Sequence, residues 1–279
     1  MVIDSHCHIL PSSFQERRSE LSRRDATFGS LLFRDDAVLA DVETLLVDMD
    51  RDGVEHSVVM GMGWTDFRLA QEANEYIIEA VANNPGRLTG FCSVSPNWGA
   101  EAVAEVERCT AAGLKGVGEL HPDTQGFDIA DKTVMEPLME TANRLGLPVL
   151  VHASEPVGHQ YPGKGRTTPG KLYKFIENFP SNVIICAHWG GGLPFYALMP
   201  EVPKVLENVY FDTAASPFLY RPDVFSAVTG LVGANKVLFA TDYPLIRARR
   251  LLGQVEEACL APENQEAVLS GNAARLFGL

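Results

Sequence analysis

Short runs rich in Val, Ile and Phe alternate along the chain with longer stretches whose apolar residues recur at three- and four-residue spacing. The first pattern fits buried strands and the second amphipathic helices. The runs fall at residues 2–8, 57–63, 88–94, 114–120, 148–153, 183–188, 209–213 and 237–241. Helical spacing occupies 41–52, 67–83, 100–112, 134–145, 170–179, 195–206 and 222–231, and the tail 248–277 supplies the last helices. Stop signals close several of them, notably Asn84-Pro85-Gly86 and Leu145-Gly146-Leu147-Pro148. Strand and helix in alternation predict an α/β fold with a parallel sheet. Eight units of about 35 residues each predict a single (β/α)8 barrel of TIM type over residues 1–279. No linker divides the chain, and no internal repeat or low-complexity segment stands out. Two connections are long, residues 9–40 after the first strand and 154–169 after the fifth, and both are expected over the active-site face.

His6 and His8 close the first run, where alternation puts both side chains on one face and Cys7 on the other. Imidazoles turned into a barrel are costly unless paired or bound to metal. Glu119, His152, His188 and Asp242 each fall at or just past the end of a later run. The intervals are 111 residues from His8 to Glu119, then 33 to His152, 36 to His188 and 54 to Asp242. Residues recurring in step with the βα unit converge on one ring at the carboxyl end of a barrel. Six convergent nitrogen and oxygen donors predict a divalent metal site there. Two other readings stand beside it: Glu119 as a buried partner of Lys115, and Asp242 as a helix cap ahead of Tyr243-Pro244.

Other residues carry weaker signals. His121 shares the parity of Glu119, but Pro122 and Asp123 follow it, so it reads equally as a solvated loop residue. His159 and Tyr161, with Lys164, lie in the long segment after the fifth run, as substrate contacts or as an ordered lid. Trp189, next to His188, is a further candidate substrate contact. Gly190-Gly191-Gly192 either receive an anion on free N–H groups or pack closely beneath His188. His56 precedes the second run, away from the site, and is expected at the surface. Arg247, Arg249 and Arg250 follow Asp242 and bear on an anionic substrate only weakly.

Composition narrows the partners. Apolar residues make up 46% and charged ones 21%, and 23 Lys and Arg against 36 Asp and Glu leave a net charge of −13. Such a balance repels phosphate backbones and anionic lipid surfaces, and no apolar run approaches the roughly 20 residues needed to span a bilayer. A small-molecule substrate is expected, with no nucleic acid and no membrane; a homo-oligomer is compatible with this reading. Five scattered cysteines without CxxC spacing indicate neither a disulfide framework nor a cysteine zinc site, and the N-terminal residues lack signal-peptide features. The expected location is the cytoplasm.

Five segments together resemble the amidohydrolase superfamily, specifically the amidohydrolase-related group containing aminocarboxymuconate-semialdehyde decarboxylase. They are Asp4-Ser5-His6-Cys7-His8, Gly116-Val117-Gly118-Glu119-Leu120, Val151-His152-Ala153, Ala187-His188-Trp189-Gly190-Gly191 and Ala240-Thr241-Asp242-Tyr243-Pro244. The resemblance implies a TIM-type barrel in which His6, His8 and Asp242, joined by His152, hold a divalent metal, with His188 as ligand or water-orienting base. Glu119 departs from the decarboxylase pattern and looks more like the bridging carboxylate of TatD-like deoxyribonucleases, so one or two ions are expected. Neutral histidines and carboxylates suit zinc, and also manganese or nickel.

The expected function is hydrolysis of a small-molecule C–O, C–N or lactone bond by metal-activated water, with Asp242 as general base and His188 as its companion. Non-oxidative decarboxylation of a small carboxylic acid is the alternative, and it calls for an arginine to hold the carboxylate, for which Arg17 and Arg18 are candidates. Glu119 keeps a TatD-like nuclease as a third reading. A non-catalytic metal-binding barrel is opposed by Asp242 and His188.

Overall fold

The structure, a computed structural model, describes residues 1–34 and 36–279. All eight strands form at the apolar runs, each shorter than its run: β1 (Ile3–His8), β2 (His56–Met60), β3 (Leu88–Gly90), β4 (Val117–Leu120), β5 (Val149–Val151), β6 (Ile184–Cys186), β7 (Val209–Asp212) and β8 (Val237–Leu238). They pair in parallel and in chain order, β1 to β3 in one ladder and β4 to β8 in another. Backbone hydrogen bonds join the two ladders at both edges. Cys92 N donates to Gly116 O (2.8 Å) and Gly118 N to Cys92 O (2.9 Å) at one seam; Ser5 N donates to Phe239 O (2.9 Å) and His8 N to Tyr243 O (2.7 Å) at the other. The sheet therefore closes on itself as the expected (β/α)8 barrel.

Alternation divides the strand residues between two cores. Val58, Met60, Leu150 and Ile185 fill the interior with Ile3, Phe91 and Leu238. Their neighbours Val59, Val149, Val151, Ile184 and Cys186 face the surrounding helices. Register shifts interrupt the pattern in two places, between Asp4 and Cys7 and between Val117 and Leu120. Strict alternation from inward Ile3 would turn Cys7 in and His6 and His8 out, yet Cys7 packs in the outer core. Likewise, outward Val117 would carry Glu119 outward with it. Both irregularities re-aim polar side chains into the barrel mouth, a common use of bulges.

The far end of the barrel is plugged by the helix Asn272–Phe277, whose Ala273 and Phe277 join the inner core. Lys115 Nζ donates to Phe277 O (3.3 Å), so it serves that plug and is not the partner of Glu119. The connection after β1 is not the irregular loop expected but holds three short helices, Ser13–Glu16, Arg18–Arg24 and Ala26–Leu31. Phe14, Leu21 and Phe28 recur two helical turns apart and are all fully buried. Residues 195–206 form a 3-10 segment, Leu193–Leu198, and a short helix, Val202–Val205, in place of the single helix expected, because Pro200 and Pro203 remove backbone donors. Among the described residues no helix is long and apolar enough to cross a membrane, and the five cysteines are free.

Candidate metal centre

Each of the four histidines at the mouth is fixed through one ring nitrogen. His6 Nδ1 donates to Asp212 Oδ2 (2.9 Å), His8 Nδ1 to Gly61 O (2.7 Å), His152 Nε2 to Gly163 O (3.1 Å) and His188 Nδ1 to Ala214 O (3.1 Å). These partners only accept, so each can receive the ring proton; for His6, His8 and His188 the other nitrogen then presents a lone pair, whereas His152 Nδ1 faces a second acceptor, Glu119 Oε1 (3.0 Å), so a proton on either of its nitrogens is hydrogen-bonded. The lone pairs converge. His6 Nε2 lies 3.0 Å from His8 Nε2, and His188 Nε2 lies 3.2 Å from His152 Nδ1. Two lone pairs at this range repel unless a proton or a metal cation lies between them.

The carboxylates complete both pairs. Glu119 Oε2 sits 3.8 Å from His6 Nε2 and 3.7 Å from His8 Nε2, while its Oε1 sits 3.0 Å from His152 Nδ1 and 3.6 Å from His188 Nε2. Asp242 Oδ1 approaches His8 Nε2 at 3.3 Å and His6 Nε2 at 3.9 Å. Two donor triads result, His6-His8-Glu119 and Glu119-His152-His188, with the ligand atoms of each within 4.8 Å of one another. All six residues singled out from the sequence thus meet at one place. Imidazole and carboxylate donors, each histidine anchored through its far nitrogen, fit a divalent cation in both donor type and outer support.

The local charges point the same way. Burial opposes protonation of His6, but the carboxylates of Asp212 and Glu119 outweigh it and raise its pKa to about 10. Burial also opposes a charge on His188, yet the Glu119 hydrogen bond and the Asp242 charge carry it to about 9. Asp242 is lowered to about 2: burial works against ionisation, and the His8 hydrogen bond with the charges on His6 and His188 overcomes it. Glu119 falls well below the usual carboxylate range because His6 and His152 outweigh its burial. The chain's own groups leave negative charge here for a cation to neutralise.

Asp212 escaped the sequence reading. Fully buried at the end of β7, it holds His6 through Oδ2, and its Oδ1 accepts from His188 N (2.9 Å) and Ala214 N (3.0 Å). A signal existed, an acidic residue closing the Val209-Tyr210-Phe211 run, between His188 and Asp242. His188 and Asp242 themselves have φ of 55° and 65°, a region sparsely used by such residues. The first is held there by Asp212, the second by its N–H donating to His6 O (3.0 Å).

Above the donors opens a cavity of about 400 Å³, floored by His8, Glu119, His152, His188 and Asp242. Leu10, Leu31, Leu39, Met62 and Leu245 give it apolar walls, and among the described residues no lysine or arginine lines it. His121 does line it. Far from solvated, that ring is buried and stacks on His152 with centroids 4.0 Å apart and planes 17° apart. Burial first, and then the charge at His152, push its pKa down to about 3.

The other candidates lie elsewhere. His159 is exposed and Tyr161 donates to Glu155 Oε2 (2.8 Å). Lys164 Nζ closes its own loop through Val157 O (2.6 Å) and His159 O (2.9 Å). Trp189 is fully buried behind the barrel wall, its Nε1 donating to Ser216 Oγ (2.9 Å), so it does not face the cavity. The glycine run serves packing rather than an anion: a Cβ on Gly191 would lie 2.4 Å from Ser154 O. Arg17 pairs with Glu20 and Glu72, and Arg247 with Asp48 and Asp52. Arg18 is buried and donates to Leu32 O (3.1 Å), Ala37 O (2.9 Å), Gln15 Oε1 (2.6 Å) and Arg34 O, so neither Arg17 nor Arg18 offers itself to a substrate carboxylate. His56, expected at the surface, is buried at the start of β2, its Nε2 2.9 Å from Thr89 Oγ1.

Comparison with known proteins places this geometry. The 2-amino-3-carboxymuconate-6-semialdehyde decarboxylase of Dictyostelium discoideum is 24% identical over 330 residues, covering 99% of this chain and 91% of that protein. The gamma-resorcylate decarboxylase of a Polaromonas species is 24% identical over 255 residues, 75% of this chain and 76% of its own. Among solved structures, the 5-carboxyvanillate decarboxylase of Novosphingobium aromaticivorans, complexed with manganese and 4-hydroxy-3-methoxy-5-nitrobenzoic acid, superposes with a TM-score of 0.82 at 18% identity, covering 100% of this chain and 96% of that one. These relatives overturn the expectation of hydrolysis at a C–O, C–N or lactone bond, since both curated proteins are decarboxylases by name. The misreading has a physical source: the same ring of donors serves either reaction, and the difference lies in the cavity above it. The amidohydrolase family model matches residues 3–279, nearly the whole length over which barrel, paired histidines and strand-end carboxylates have been traced, and the chain belongs to that family.

Proposed function

We propose that the protein is a metal-dependent, non-oxidative decarboxylase of a small carboxylic acid whose carboxylate sits on an unsaturated carbon. The observation that carries this reading is the cavity. Its walls are apolar apart from Asp36, which pairs with Arg34, and no lysine or arginine lines it among the described residues, so in place of the arginine expected for a decarboxylase the cation that meets a substrate carboxylate is one held by the donors on its floor. The names of two curated relatives, both decarboxylases, support it.

His6, His8, Asp242 and Glu119 Oε2 would hold one divalent ion, manganese as in the Novosphingobium enzyme or zinc, both of which take imidazole and carboxylate. When bound, the ion supplies the positive charge that holds the carboxylate and draws electron density from the carbon framework. The second pair, His152 and His188, holds a proton instead. His188 is anchored at Nδ1 by Ala214 O, and in the metal-free chain, against its burial, the Glu119 hydrogen bond and the Asp242 charge raise its pKa to about 9; His6 is raised higher still, to about 10, so it is the third donor beside the first pair, Asp242, that favours the ion there. The apolar walls strip water from the carboxylate. As the bond between carbon and carboxylate breaks, carbon dioxide leaves and the electron pair on carbon takes the proton from His188 Nε2; solvent then reprotonates the ring. Asp242, ionised down to about pH 2, carries no proton to give.

The test uses the manganese-loaded protein in D2O with a panel of 2-hydroxylated aromatic acids, following carbon dioxide by infrared absorption and the product by NMR. One deuterium should appear at the carbon that lost its carboxylate. Turnover should decline as pH rises through the pKa of His188, which a cation beside Glu119 and Asp242 sets below the value of about 9 that those carboxylates give it in the metal-free chain. His188→Asn should keep the metal and lose roughly a hundredfold in rate. A product that retains its carboxylate and has gained water would sink the decarboxylase reading.

A further inference from the structure

The strand β8 is two residues long, yet the chain beyond it brings Asp242 Oδ1 to within 3.3 Å of His8 Nε2. Past the strand, side chains on both flanks carry the backbone. On the β7 side Thr213 Oγ1 accepts from Ala240 N (2.9 Å) and donates to Ala240 O (3.0 Å). On the β1 side the ladder begins regularly, with Ser5 N donating to Phe239 O (2.9 Å). In an unbroken parallel ladder the next bond would run from Thr241 N to Ser5 O. It runs instead to a side chain, Asp4 Oδ1 (2.9 Å). The register shift that turns His6 and His8 inward begins at Asp4, and the Asp4 carboxylate stands in for the ladder acceptor at the break.

That carboxylate does more than fill one gap. Its Oδ1 also accepts from His6 N (3.3 Å), and its Oδ2 accepts from the Thr241 hydroxyl (2.6 Å), whose oxygen accepts in turn from Tyr243 N (3.0 Å). One buried side chain thus grips the N–H of His6 and the residue before Asp242, which stands 237 positions along the chain from Asp4. Asp4 points away from the cavity. With Leu45, Met49 and Ser57 it borders a small void on the side of the helix Val42–Asp52, so it touches neither the ion site nor the substrate. Asp242 has need of such a hold, because a φ of 65° persists only where the surroundings over-determine it.

We propose that Asp4 is a positioning residue of the metal centre: by tying Thr241 to β1 it sets where Asp242 stands relative to His6 and His8. The inference rests on the reading of His6, His8 and Asp242 as ligands of one divalent ion, and it is independent of the reaction that follows.

The experiment measures three quantities: the manganese affinity of the protein by competition with a chelating dye, the electron paramagnetic resonance spectrum of the bound ion, and the melting temperature of the metal-free chain. Asp4→Asn keeps Oδ1 for Thr241 N and puts an NH2 group where the Thr241 hydroxyl needs an acceptor. Thr241→Val deletes that hydroxyl at nearly constant shape. Each should weaken manganese binding by about tenfold, the lower end of the loss that follows removal of a ligand's outer support, and should change the spectrum as the ligand set is displaced. The double variant should lose no more than either single one, because both break the same contact. Thr241→Ser restores the hydroxyl and should match the unmodified protein in affinity and spectrum. Variants that melt lower but bind manganese with unchanged affinity and spectrum overturn the proposal, since a purely structural role gives that result. Additive losses in the double variant overturn it too, as does a Thr241→Ser that binds as weakly as Thr241→Val. Should Asp4→Asn fail to fold, the two Thr241 variants decide by the same criteria. Absence of manganese binding by the unmodified protein removes the metal-centre reading itself, and this inference with it.

Discussion

Because Asp212 accepts the Nδ1 proton of His6 at 2.9 Å, His6 faces His8 with a lone pair rather than an N–H. An asparagine at this position presents an amide N–H to Nδ1 and drives the ring proton onto Nε2, where it blocks the metal. Asp212→Asn should therefore weaken manganese binding by about 10- to 100-fold, the usual cost of losing an outer-shell partner. Competition with a chelating dye measures it, and unchanged affinity would show that the carboxylate does not set the tautomer. At this scale the sequence was informative in part. His6 and His8 announced themselves by spacing and strand-end position, as did Glu119, His152, His188 and Asp242. Asp212 shares the strand-end position but was passed over, because its role is to orient another ligand, and nothing else in the local pattern separates such an acid from a helix cap. His121 was visible as a histidine but its burial was not, since Pro122 signals a chain leaving the strand whether or not the loop folds back over it.

Elements were legible where periodicity alone builds them. Eight apolar runs became eight strands, and most of the long helices lie where their spacing put them. Hidden were the two register shifts that aim His6, His8 and Glu119 inward, because a bulge depends on the partner strand and leaves no mark in the period of its own. The segment after β1 was also misjudged, its three helices being too short for a periodic signal. Arg18 shapes that segment. Its guanidinium gathers the carbonyls of Leu32, Arg34 and Ala37, and so sets the stretch from which Leu31, Leu39 and their neighbours wall the cavity. Arg18→Met strands those carbonyls, and hydrogen bonds to a charged group contribute about 1.5–3 kcal/mol each when buried. The variant should melt several degrees lower and exchange amide hydrogens faster across residues 26–40, with manganese content unchanged. Exchange there at the unmodified rate would mean the segment is held by its apolar contacts with Phe14 and Phe28 alone.

Over the whole molecule, net charge and site chemistry operate at different ranges. A charge of −13 disfavours long polyanions, while inside the mouth only the groups within about one Debye length of 8 Å decide what binds. Membership of the family was legible from five short segments spread along the chain. The reaction was not, because hydrolysis and decarboxylation draw on the same strand-end donors, and the choice is made by a cavity assembled from loops distant in sequence. The central claim is that the two facing nitrogen pairs are neutralised differently, one by a metal ion and the other by a proton. Anomalous diffraction at the manganese edge, from crystals grown with excess manganese, addresses it directly. The predicted result is one peak per chain, among His6 Nε2, His8 Nε2 and Asp242, and none between His152 and His188. A peak between His152 and His188, or no peak at either pair, would contradict it.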